Sequence, residues 1–199
     1  MTGSIKRSLW LLGLLAILLL SGCGGNGVVE TNDGLAYYPV KGMDGFDFLE
    51  YWNGEDAYAC GIENFTGTSL TVPSTFQNKP VIAVWGDNAN ITDLRIGEGI
   101  LAVEKAGLRS LQTVEIPASV VCVNEAFRSA QLTEVTFSGN VSRISRLSFN
   151  NCGSLEKVTF LGVLRSDGIF IFRLAGFSRG IVSDLQCRIC ILNHDEKRT

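Results

Sequence analysis

"LTEVTF" fills Leu132–Phe137 and "LEKVTF" fills Leu155–Phe160, with "LQTVEI" at Leu111–Ile116 and "ITDLRI" at Ile91–Ile96 upstream. Their apolar positions align as Ile91/Leu94/Ile96, Leu111/Val114/Ile116, Leu132/Val135/Phe137 and Leu155/Val158/Phe160, at steps of 20, 21 and 23 residues. Each copy reads L-x-x-V-x-I. Its last two apolar side chains sit two apart and so share one face of a strand. Self-similarity at a nearly fixed short period predicts a solenoid, in which each copy is one rung of a stacked sheet.

A second apolar rhythm follows each strand. Ile100/Val103/Leu108 and Val141/Ile144/Phe149 share a +3, +5 spacing, and Val120/Val123/Phe127 keeps it with one residue fewer. Each unit is therefore expected to fold back and send a second set of apolar groups into the same core. One unit cannot bury such a face alone, whereas stacked neighbours make it continuous.

The residues now carry a family resemblance. "LQTVEIPASVVCVNEAF" (Leu111–Phe127) and "LTEVTFSGNVSRISRLSFNNCGSLEKVTF" (Leu132–Phe160) resemble the BspA-type leucine-rich repeats of bacterial surface proteins. Pro117, Phe149 and Cys152 match that unit's proline, aromatic and cysteine, and "LTVPSTFQNKPVIAVWGDNA" (Leu70–Ala89) is similar to its first unit. The resemblance covers residues 58–164 and implies a mostly β, leucine-rich-repeat solenoid, a short curved stack of strand-plus-turn repeats. Asn90 stands where an apolar aromatic is expected, Trp85 looks inserted, and Gly97-Glu98-Gly99 replaces the proline turn.

Alternation along the strands points Asp93, Arg95, Thr113, Glu115, Glu134, Thr136, Lys157 and Thr159 outward as a polar ladder. The resemblance implies that this face binds protein ligands or cell-surface partners. The bland alternative is a solvated sheet that holds nothing.

After Leu164 the rhythm breaks at Ser166-Asp167-Gly168. Read one base out of phase, codons for "IFRLAGF" (Ile171–Phe177) can spell Phe-Ser-Gly-Leu-Pro-Gly, which would continue the family's turn. Residues 165–199 are thus expected to be either a frameshifted tail or a divergent cap over the last apolar face.

The N-terminus has a basic start, Lys6-Arg7, and an apolar run of twelve residues from Leu9 to Leu20, which suits a signal peptide and is too short for a spanning helix. Leu20-Ser21-Gly22-Cys23 resembles the lipobox of bacterial lipoproteins. That resemblance implies cleavage of residues 1–22, an acylated Cys23, a membrane partner through the lipid, and a place in the bacterial cell envelope with the repeats exposed. The alternatives are an ordinary signal peptide with a chance cysteine and an uncleaved anchor. A glycine-rich tether follows. Residues 23–57 also hold Phe46, Phe48, Tyr51 and Trp52, and with Tyr58 these rings open a second functional reading, glycan stacking on the aromatics. The structural alternative is a capping hairpin with "NGED" (Asn53–Asp56) as its turn.

Composition narrows the classes. The chain has 199 residues, 46% of them hydrophobic, enough for a core. Its charge of −3 becomes −5 (15 basic against 20 acidic residues) once Lys6 and Arg7 are removed. With no basic run, nucleic acid is excluded as a partner. Five cysteines remain after Cys23, an odd number, and Cys187-x-x-Cys190 lacks a second ligand pair for a metal. Gly97-x-Gly99-x-x-Ala102 with Glu115 imitates a dinucleotide fingerprint, but the next strand comes too soon for a crossover helix. The single histidine, His194, lies in a polar tail, and the acids of residues 44–56 lack calcium-loop spacing. No nucleophile elbow, cofactor motif or metal set is present. The expected role is a non-enzymatic interaction or adhesion module.

Overall fold

Each L-x-x-V-x-I unit closes one short parallel strand in the computed structural model, which describes residues 27–54, 56–145 and 147–163 and the backbone of 171–172 and 190–191. The elements run β1 (Val29–Glu30), β2 (Ala36–Pro39), a 3₁₀ helix (Asp47–Tyr51), β3 (Tyr58–Gly61), β4 (Ser69–Val72), β5 (Thr75–Phe76), β6 (Lys79–Trp85) and β7 (Asp93–Ile96). They continue with β8 (Ala102–Glu104), β9 (Thr113–Glu115), β10 (Cys122–Asn124), β11 (Glu134–Phe137), β12 (Arg143–Ile144) and β13 (Lys157–Phe160). Two further strands, β14 (Ile171–Phe172) and β15 (Cys190–Ile191), pair in parallel. The chain is a mostly β, leucine-rich-repeat solenoid.

Two walls enclose the core. The repeat strands form one wall, as the parallel sheets β4-β7-β9 and β11-β13, joined by a single bridge between Ile116 and Phe137. The fold-back strands form the other, in the order β3-β6-β8-β10-β12. Leu94, Ile96, Leu111, Leu132, Val135, Phe137 and Leu155 from the first wall meet Ile100, Val103, Leu108, Val120, Val123, Phe127 and Ile144 from the second in one buried cluster. Both predicted apolar rhythms therefore serve one interior. Burying a leucine such as Leu108 or Leu132 fully is worth about 1.5–3 kcal/mol.

The fold-back wall has a second buried face that the periodicity does not announce. Ala83, Ala102 and Cys122 fall in register across β6, β8 and β10, forming a column of small side chains. Phe48 and Val40 from the N-terminal segment pack on that column, so residues 40–57 cover the outer face of the wall.

The cap corrects one expectation. The N-terminal hairpin exists, but its turn is Thr31–Gly34 and not Asn53–Asp56. Thr31 Oγ1 donates to Asp33 Oδ1, and Gly34 takes a φ of +88°. A Cβ there would lie 1.9 Å from the Asn64 carbonyl oxygen, so glycine is required. "NGED" instead links the 3₁₀ helix to β3. β2 then pairs antiparallel with β3, covering the first edge of the parallel wall.

The departures from the repeat also find their reasons. Where an aromatic was expected near Asn90, buried Asn88 donates to the carbonyls of Ile62 and Phe65, both at 2.8 Å, and accepts from Asn90 N–H. A saturated amide replaces apolar filling. Trp85 ends β6 and meets Tyr38 and Phe46 edge-on.

Candidate binding face

Parallel register turns the outward alternation of the repeat strands into cross-strand pairs. Asp93 stands opposite Thr113, and Arg95 opposite Glu115. Glu134 stands opposite Lys157, and Thr136 opposite Thr159. All are exposed except Thr159, which is half-buried. The structure thus brings the eight residues onto the strand wall as four pairs.

Those pairs compensate one another. Thr113 Oγ1 donates to Asp93 Oδ1 at 2.5 Å and Thr92 Oγ1 to Asp93 Oδ2 at 2.7 Å, which together hold the Asp93 carboxyl below its ordinary range. Arg95 reaches both carboxylate oxygens of Glu115, at 2.6 and 2.7 Å, and Glu115 raises the guanidinium in return. Lys157 lies 3.8 Å from Glu134. Exposed pairs of this kind are screened by solvent and add little to stability. They leave the face close to neutral.

The face is interrupted once. Between β9 and β11 the ladder shrinks to the Ile116–Phe137 bridge, and Val114, expected in the core, is half-buried. A depression of about 600 Å³ opens there, lined by Arg95, Glu115, Ile116, Pro117, Thr136 and Ser138. Three of the eight ladder residues border it.

The aromatic segment fares differently. Phe48 and Tyr58 are buried in the core, which removes both rings from any stacking platform. Tyr51 and Trp52 pack half-buried on the second cluster, as does Phe46.

Chemistry beyond binding finds no support in the described residues. Burial pushes the Cys60 and Cys122 thiols up to about 12 and Cys152 up to about 11, so all three stay protonated and inert at neutral pH. Among the described residues no group of three or more His, Cys, Asp or Glu is placed to hold a metal. Gly97 and Gly99 lie in the turn between β7 and β8, with a strand following, as the spacing indicated. Cys23, residues 1–22, Cys187 and His194 lie outside the described residues, and only the backbone of Cys190 and of Ile171–Phe172 in the out-of-phase stretch is described.

A family model for the BspA type leucine rich repeat region matches residues 87–176 in 6 copies. The match begins at the end of the Leu70–Ala89 unit and runs past Leu164. No curated protein and no solved structure matches the chain.

Proposed function

Because the chain is a BspA-type leucine-rich-repeat protein across residues 87–176, we propose that it is a non-enzymatic interaction and adhesion module of the bacterial cell envelope. In this reading it binds protein ligands through the exposed strand face and is held to the membrane by lipid on Cys23. The observation that supports it best is the depression bordered by Arg95, Glu115 and Thr136, the one place on the described strand wall where the ladder opens. A protein side chain inserted there is desolvated at the centre of the interface, where binding energy concentrates.

The full chain is tested against a panel of purified matrix and envelope proteins, beside Thr136→Trp, which fills the depression. At least one ligand should bind the parent chain and lose tenfold or more in the variant. Ligands that bind both equally would move the interface elsewhere. Labelling of the parent chain by radioactive palmitate, but not of Cys23→Ser, tests the anchor.

A further inference from the structure

We propose a second site, independent of the strand face: the cleft along the turn edge that follows β6, β8 and β10, taking an acidic saccharide through a carboxylate. The cleft has a volume of about 460 Å³ and is walled by Phe46, Trp85, Asp87, Arg109, Glu125 and Arg128.

Its charges are arranged unlike those of the strand face. Arg109 and Arg128 follow the equivalent core positions Leu108 and Phe127 in successive turns, and both are exposed. Successive turns of a parallel stack lie roughly 4.8 Å apart, so the two arginines are anchored on adjacent turns, and both line the cleft. Neither has an ion-pair partner among the described residues, whereas Arg95 and Lys157 on the strand wall both do. Like charges at that spacing repel, and a carboxylate spanning the two forks would relieve the repulsion with charge-assisted hydrogen bonds.

The remaining lining selects the rest of the ligand. Glu63 also lines the cleft, Asp87 accepts from Gly107 N–H through Oδ1, and among the described residues neither Glu63 nor Glu125 makes an ion pair, so three acids face Lys105, Arg109 and Arg128. These acids are acceptors for hydroxyl groups and would repel a dense dianion such as phosphate. Phe46 and Trp85 stand edge to face at 5.5 Å, an apolar wall for the C–H face of a pyranose ring. A carboxylate, several hydroxyls and an apolar ring face describe a uronic or sialic acid.

The backbone positions two of the cleft's charged residues alike. Lys105 and Glu125, in equivalent positions, both have φ of 51°, and Ser129 has 58°. Such left-handed conformations favour glycine or asparagine. Lys105 itself donates to the Gly45 carbonyl at 2.7 Å and lies 4.2 Å from the Phe46 ring centre, tying the N-terminal segment to the cleft.

Calorimetry on the full chain in detergent, at low salt, would titrate oligogalacturonate and sialyllactose, with maltotetraose and a short polyglutamate as controls. At least one carboxylated sugar should bind at least tenfold more tightly than either control. Arg109→Ala with Arg128→Ala should abolish that binding, while Phe46→Leu should weaken it at least threefold. Both arginines are exposed and should leave the unfolding midpoint in place, which circular dichroism checks. No binding of either acidic sugar, equal binding of polyglutamate, or binding indifferent to the double arginine change would each overturn the proposal. The Thr136→Trp variant should bind the sugar normally, so failure here and failure of the strand-face reading remain distinguishable.

Discussion

The Glu104 carboxylate accepts hydrogen bonds from the main-chain N–H groups of Asp47 and Phe48, at 2.9 and 3.1 Å, across 57 and 56 positions of sequence. Glu104 is fully buried. The 3₁₀ helix presents its unpaired amides to the carboxylate, and Asn124 Nδ2 adds a third donor at 3.2 Å. Arg143 completes the clasp from the next turn, 3.0 Å from Asp47 and 3.9 Å from Glu50. One charged residue of β8 thus orients the segment that brings Phe48 onto the small-residue column and Phe46 to the cleft.

Removing that acceptor should loosen the cap. Glu104→Ala leaves buried amides without partners and should cost about 2–3 kcal/mol. Urea unfolding of the two chains reads the loss, and proteolysis should cut residues 40–57 of the variant first. An unchanged midpoint would mean that the cap docks through Phe48 and its apolar neighbours alone.

Gly139 sits in the turn after β11, where successive turns touch through their backbones. A Cβ at this position would lie 2.0 Å from the Ala118 carbonyl oxygen. Gly139→Ala must therefore push two turns apart, and we expect a loss of about 1–3 kcal/mol by overpacking. Gly153→Ala is the control, since nothing lies within 4 Å of its Cβ. Equal thermal midpoints for the two variants would contradict the close stacking.

The buried thiols predict both reactivity and pH response. Iodoacetamide at neutral pH should leave Cys60, Cys122 and Cys152 unlabelled in the folded chain and label all three in urea, as peptide mass mapping would resolve. Each thiol has a folded pKa above its ordinary 9.0, reaching about 12 for Cys60 and Cys122. The stability they contribute is therefore full below pH 9 and is lost as pH climbs from 9 toward 12. An unfolding midpoint flat across that window would show that the thiols are wetter than their packing implies.

Asp93 responds at the opposite end of the scale. Its carboxyl is held below the ordinary 3.8 by the Thr113 and Thr92 hydroxyls. The stability it contributes is present above pH 3.8 and is lost as pH falls through the lower folded value. Thr113→Val should bring the Asp93 titration, followed by carboxyl carbon NMR, back toward 3.8. A titration indifferent to the substitution would mean that the Thr113 hydrogen bond is not kept in solution.

The array was legible in the amino-acid sequence because its information is local and repeated. Ile91, Leu111, Leu132 and Leu155 occupy the same place in successive units, and stacking identical units buries identical positions, so periodicity alone predicts the core and the outward ladder. Register was legible for the same reason: Arg95 opposite Glu115 follows from a step of 20. The tertiary structure alone decided what depends on contacts between unlike segments. Nothing in "AVE" at Ala102–Glu104 announces that its glutamate takes amides from Asp47 and Phe48, and nothing in the spacing shows that Ala83, Ala102 and Cys122 form a floor for Phe48. The cleft is of this kind too, since Phe46 and Arg128 meet only after the cap folds over the turn edge. A repeating pattern specifies how a unit packs on its own copy; where a non-repeating segment docks, shape and hydrogen-bond satisfaction across a long sequence separation decide.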